Sequence, residues 1–155
     1  MRKTRVSALI ITCLAPLMLT ACLDQRLDFT GNYPSSTLRT FVTLEGNALP
    51  PGLKTADVAV TLSEDDPRRI VINTDCPFTA RVQGEGFFVD PASCPETHTD
   101  GCSSITTTID TGAGACEAKN MYITVQGTLH QVCGGTPSSG TFLLTIAGIR
   151  VSNRK

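Results

Sequence analysis

Along much of this chain apolar and polar residues alternate with a period of two. In ADVAVTLS, Val58, Val60 and Leu62 share one phase, while Asp57, Thr61 and Ser63 take the other. An even-numbered apolar phase then runs from Ile70 through Ile72, Thr74, Cys76, Phe78 and Ala80 to Val82, with Arg69, Asn73, Asp75, Thr79, Arg81 and Gln83 between. Side chains two apart lie on one face of a strand. The pattern therefore predicts one long strand, or two in register, with a single buried face. Pro77 falls inside this run and cannot donate to a ladder, so a bend or bulge is expected there.

The flanking segments follow the same logic. LDFTGNY reads as a short strand and STLRTFVTLEG as a longer one, ended by the loop NALPPG. EDDPR is a turn. GEG at 84–86 is a hairpin turn centred on Glu85, and FFVD follows it. A long loop, PASCPETHTDGC, leads to the strand SSITTTID, the turn TGAGACE and the strand KNMYITVQGTLHQV. GGTPSSG turns the chain again before TFLLTIAGIRV, which is apolar on both faces: Phe142, Leu144 and Ile146 against Leu143 and Ile149. No convincing helical period and no repeat appear after residue 22. These elements predict an all-β domain, a single antiparallel meander of about 7–8 strands. Such a chain must bury one face, either by closing into a small barrel or by folding as a two-sheet sandwich. The barrel is favoured, because the long strands bend and the last hairpin is apolar on both sides.

The N-terminus follows a different pattern. Arg2, Lys3 and Arg5 precede an apolar run from Val6 to Leu19, followed by Thr20, Ala21 and Cys22. This is the layout of a secretory signal. The run is shorter than the roughly 20 residues a spanning helix needs, and Pro16 interrupts it. Leu19-Thr20-Ala21-Cys22 resembles the lipobox of bacterial lipoproteins. That resemblance implies a signal peptide over residues 1–21, cleavage before Cys22, and diacylglyceryl attachment to the Cys22 thiol. It also implies fatty acylation, such as palmitate, of the new amino group. Leu23 follows Cys22 and Asp24 comes second, which in that family favours sorting to the outer membrane. Residues 22–155 would then form a single disulfide-stapled β domain with a membrane anchor.

Composition narrows the partners. Without its signal the chain has 10 Lys and Arg against 14 Asp and Glu, a net of −4. Its largest basic cluster is Arg68-Arg69, and it has no Trp. The electrostatic footprint and the stacking platform of a nucleic-acid binder are therefore missing.

Seven cysteines are present. Cys13 leaves with the signal and Cys22 takes the lipid, so Cys76, Cys94, Cys102, Cys116 and Cys133 remain. An exported protein should pair such thiols, but an odd number leaves one over. Cys76 and Cys94 lie symmetrically about Glu85, opposed across the expected hairpin and so close enough to bond. Cys102 and Cys116 bracket one expected strand and its turn and are favoured as the second pair, with Cys133 unpaired. Cys116–Cys133 and Cys102–Cys133 stay open.

Candidate chemistry is sparse. Glu96, His98 and Asp100 alternate in CPETHTDGC, so an extended chain would aim them to one side. Their spacing matches no strong metal-ligand pattern, and a solvated loop is the expectation. Glu64, Asp65 and Asp66 form an acidic turn, and His130 sits on an expected strand surface. The chain has no G-x-S-x-G and no H-E-x-x-H, and neither GAGA nor GGTPSSG opens a helix as a phosphate cradle does. No cofactor is expected, nor an enzyme. DFTGNY opening a meander that ends in a long hairpin resembles lipocalin-like barrels. The sequence therefore supports an outer-membrane-anchored lipoprotein with a non-enzymatic binding or structural role, its partner an envelope protein. The alternatives are a lipocalin-like carrier of a small apolar ligand and an enzyme of unknown class. The carrier requires an interior left unfilled by Ile72, Val82, Val125 and Leu144.

Overall fold

The computed structural model describes residues 24–151; the signal and Cys22 lie outside them. The strands are β1 (Gly31–Leu44), β2 (Asn47–Ala48), β3 (Gly52–Leu62), β4 (Arg69–Asn73), β5 (Phe78–Gln83), β6 (Gly86–Val89), β7 (Ala92–Ser93), β8 (Thr97–Thr99), β9 (Cys102–Glu117), β10 (Asn120–Cys133) and β11 (Thr136–Ile149). Eight of them form a closed ring in chain order, β1-β3-β4-β5-β6-β9-β10-β11, and β11 returns to pair with β1. Every pairing is antiparallel. The short β2 attaches to β1, and β7 and β8 attach to β9. The domain is thus an all-β antiparallel meander that closes barrel-like on itself. Closure removes the exposed edge that an open sheet would present to other chains.

The even-numbered run from Ile70 to Val82 is two strands joined by the turn at 74–77. Ile72 lies opposite Phe78 and Ile70 opposite Ala80. Paired residue numbers there sum to an even value, so even positions on both strands face inward and the phase survives the reversal. The next hairpin behaves differently. Its turn is the two-residue Gly84-Glu85, with Gly84 at φ +62°, and Gln83 pairs with Gly86. The reversal is centred half a residue before Glu85, not on it. Val82 therefore meets Phe87, which is 2% exposed, while Phe88 points outward at 58% exposed.

TGAGACE is not a turn. It continues β9, which runs unbroken for 16 residues. Gly112 and Gly114 occupy inward positions over which neighbouring side chains pack. A Cβ on Gly114 would lie 2.2 Å from the Phe87 ring, and one on Gly112 would lie 2.6 Å from Val125. The glycines thus serve packing rather than flexibility. A bulge at Asp110 shifts the inward phase of β9 from Ile109 to Gly112. GGTPSSG is likewise mostly strand, because β11 begins at Thr136 and only Gly134-Gly135 turn. DFTGNY enters the ring later than expected: Gln25–Asp28 is one 3₁₀ turn, and the strand starts at Gly31.

The two ends of the ring differ. One end is closed from below by residues 24–30. Phe29 is buried beneath the ring and meets Phe87 edge to face, with centroids 5.4 Å apart. The Tyr33 hydroxyl donates to the Phe29 carbonyl at 2.7 Å. Arg26 holds Asp24 through two side-chain nitrogens, Nε at 2.9 Å and Nη2 at 2.7 Å, and reaches the carbonyls of Asp66 and Arg69. Its hydrogen bonds keep the Asp24 carboxyl below the usual carboxylate range. Arg150 donates to the carbonyls of Asp28 (2.8 Å), Thr30 (3.2 Å) and Ala118 (3.3 Å), stitching this plug to the β9–β10 turn. Above the plug, Ile70, Ile72, Met121, Ile123, Val125 and Ile146 are buried in the lower ring.

Of the two favoured cysteine pairs, Cys76–Cys94 forms as expected and the second departs from the expectation. Cys76 is bonded to Cys94, and Cys102 is bonded to Cys133. Cys102 cannot reach Cys116, because both lie on β9 and the 13 residues of strand between them hold them roughly 45 Å apart. Cys133 is not the unpaired thiol. It faces Cys102 directly across the β9–β10 ladder, and Cys116 is the unpaired cysteine among the described residues. The Cys76–Cys94 link also has a different origin from a shared ladder. After Asp90 donates to the Thr79 carbonyl, the chain parts from β5 but stays on β9 in the register of β6, with Val89 opposite Gly112, Ala92 opposite Ile109 and the Cys94 N–H donating to the Thr107 carbonyl at 2.8 Å. The disulfide fastens this β9-paired segment to the β4–β5 turn, with Cα atoms 4.8 Å apart.

Candidate functional site

At the end opposite the plug, the ring is not filled. A cavity of about 250 Å³ opens there. Phe78, Ile109 and Phe142, all buried, form its floor. Leu38, Thr40 and Val42 line it from β1, Leu144 from β11 and Leu129 from β10. The opposite wall is the Cys76–Cys94 disulfide with Pro95 and Thr97. Cavities that hold small ligands are mostly apolar, with a few polar groups at fixed places, and start near ~300 Å³. This cavity lies just below that range and suits a small molecule or one end of a longer one.

Unequal strand lengths produce the mouth. β1, β9, β10 and β11 have 14–16 residues, whereas β4, β5 and β6 have 4–6. The long strands stand above the short ones, and their inward side chains have no strand opposite. Above β6 the segment from Asp90 to Gly101 runs along β9 through β7 and β8, and pairs with it only in short stretches. Ile72 and Val125 are buried in the lower ring and do not line the cavity, while Leu144 does. Lys54 occupies an inward position opposite Leu38, at the rim, and forms an ion pair with Asp75, which also lines the cavity. Both are largely exposed, so the pair contributes little to stability and can exchange partners readily.

The other residues singled out from the sequence lie elsewhere. Glu96 accepts from the Ser104 hydroxyl, and His98 Nδ1 contacts the Ser103 carbonyl. Asp100 is exposed at the β8–β9 turn. Among the described residues no three His, Cys, Asp or Glu side chains gather as a metal group. Asp66 accepts from the Arg68 N–H at 2.8 Å and pairs with Arg69 rather than facing an open site. His130 lies opposite Ser139 on the outer surface, with Nδ1 2.8 Å from the hydroxyl. Cys116 is half-buried beside the plug, its sulfur 3.5 Å from the Tyr33 hydroxyl, and burial pushes its thiol above the ordinary range. Cys22 lies outside the described residues.

The cavity itself was not foreseen. Its one trace in the sequence is the apolar run of the last strand on both faces, Leu143 outward and Leu144 inward. That run shows an excess of apolar positions but not where a void lies.

No family model matches this chain, and no curated protein matches it. Among solved structures it is similar to a protein of unknown function of the DUF3598 family from Nostoc punctiforme, at 11% identity and a TM-score of 0.33. The similarity covers 80% of this chain and 49% of that one, so this chain spans about half that protein's length.

Proposed function

We propose that this protein is a lipid-anchored lipoprotein of the outer membrane whose β ring carries a small apolar ligand in its mouth. The observation that supports carriage is the cavity of about 250 Å³, walled by aliphatic and aromatic side chains and open at one end. An apolar ligand entering it removes its own surface and that of the walls from water, at roughly 25 cal/mol per Å². The support for the anchor is the basic start, apolar run and Leu19-Thr20-Ala21-Cys22 box. The native chain should be shortened at Cys22 and take up labelled glycerol and palmitate, whereas a Cys22→Ala chain should stay uncut and unlabelled; equal labelling and processing of the two chains would contradict the anchor.

Carriage is tested with the apolar fluorophore N-phenyl-1-naphthylamine. The protein should give a saturable rise in emission with one site per chain. Leu144→Trp places a larger side chain in the void and should abolish the rise while the circular dichroism spectrum stays unchanged. Equal binding by Leu144→Trp, or no saturable signal from the native chain, refutes the reading.

A further inference from the structure

We infer that the closed end of the ring is a bilayer-docking face, so that the mouth opens away from the membrane that holds the protein. This rests on the lipid at Cys22 proposed above. Asp24 is fixed at the closed end by Arg26, which is itself bound to the carbonyls of Asp66 and Arg69. Only Leu23 separates Asp24 from Cys22, and two residue steps of chain span at most ~7 Å. The tether is therefore too short to let the domain rotate freely above the surface.

The closed end also carries apolar side chains suited to contact with lipid. Leu27 on the plug is 52% exposed, Ile149 63% and Val151 47%. Tyr122, 56% exposed, lies opposite Ala147, diagonal to Ile149 on the outer face. Tyrosine is at home at the headgroup level, with an apolar ring and a polar tip. Exposed apolar residues alone would not choose this end, since Leu49 and Leu53 are exposed near the mouth. The position of the tether decides between them. Net positive charge does not drive the contact: Arg68 and Lys119 are outnumbered by Glu64, Asp65, Glu85 and Glu117 at this end. Docking should therefore not need anionic lipid. The ligand must then reach the mouth from the aqueous compartment or from a protein facing it, not by sliding out of the anchoring bilayer.

The chain contains no tryptophan, so a single introduced one reports its own surroundings. The full chain, expressed with its signal and recovered in lipidated form, is placed in phosphatidylethanolamine–phosphatidylglycerol vesicles with brominated acyl chains. A docked face sits ~5–10 Å into the headgroup boundary, so Ile149→Trp emission should fall about twofold or more, at low phosphatidylglycerol fraction as well. Leu49→Trp emission should not change. Flotation with the vesicles reports the anchor separately. A chain that floats with both reporters unquenched, or with Leu49→Trp quenched as strongly, overturns the docking face alone. A chain that does not float overturns the anchor and the docking face together.

Discussion

Gly114→Ala offers a quantitative test of the packing argument. A Cβ at residue 114 would sit 2.2 Å and 2.5 Å from two atoms of the Phe87 ring and 2.9 Å from the Tyr122 carbonyl oxygen. The Tyr122 side is backbone of the adjacent strand, so the ring must yield. Phe87 in turn is held edge to face against Phe29, which seats the plug. Alanine gains ~0.5–1 kcal/mol by restricting the unfolded chain. Against that stand ~1–3 kcal/mol for overpacking and ~0.5–1.5 kcal/mol for a disturbed aromatic pair. The net expectation is a loss of about 1–3 kcal/mol, several degrees in Tm for a domain of this size. Urea titration of the disulfide-intact protein measures it, alongside Phe87→Leu and the double variant. Phe87→Leu alone should cost about 1–2 kcal/mol as a large-to-small change. Because leucine vacates the space the new methyl needs, the double variant should cost at least ~1 kcal/mol less than the two single losses together. Additivity within ~0.5 kcal/mol would show that Gly114 is not there to make room for Phe87, and the packing account of β9 would fail.

Three further outcomes follow from the same geometry. Peptide mapping of the alkylated, unreduced protein should find Cys116 modified and Cys102 linked to Cys133; replacing that pair by alanines should cost ~3–4 kcal/mol, given the 31-residue separation. Arg150→Ala removes hydrogen bonds to three carbonyls and should destabilise by ~1–3 kcal/mol, while speeding native-state alkylation of Cys116 beneath the loosened plug. Since burial raises the Cys116 thiol, the unfolded chain releases this proton first. Stability from this group is therefore full below the ordinary thiol value of ~8.5 and declines as pH rises above it. Thermal melts across that window should show a shallower decline in Cys116→Ala than in the native chain.

The all-β antiparallel character was legible because one face of nearly every strand is buried, and a period of two cannot be hidden under that condition. Strand boundaries were legible only where turn chemistry agreed with parity. The turn at 74–77 keeps the even phase across two strands, so a single run of residues described both. Gly84-Glu85 reverses the phase, and a symmetric reading about Glu85 puts Phe88 inside in place of Phe87. The glycines of β9 carry turn-like composition, yet they are required by Phe87 and Val125, which arrive from other strands. No local signal records that requirement. The second disulfide was misread for the same reason: once GAGA is taken as a turn, Cys102 and Cys116 look close, whereas as strand they stand at opposite ends. The mouth depends on differences in length among strands distant in sequence, so alternation could imply an interior but not its emptiness.

The closing bridge between Asn32 and Val151, with the Val151 N–H 3.0 Å from the Asn32 carbonyl, means that the chain enters and leaves the domain side by side. Every other seam of the ring joins strands with at most the short β2, or β7 and β8, between them in the chain; only β1 against β11 spans nearly the whole of it. That seam is slow to form because its partners are far apart along the backbone, not because its sheet geometry is special. A circular permutant that joins residue 151 to residue 24 through a linker, keeping the plug, and opens at Gly134-Gly135 would turn the β1–β11 seam into a local connection. The long-range burden would pass to β10 and β11, now at opposite termini. The sheet would be unchanged, and the Cys102–Cys133 bond would still hold the new end in place. Which strand closes the ring is thus decided by where the backbone is cut, and the ring itself has no first strand.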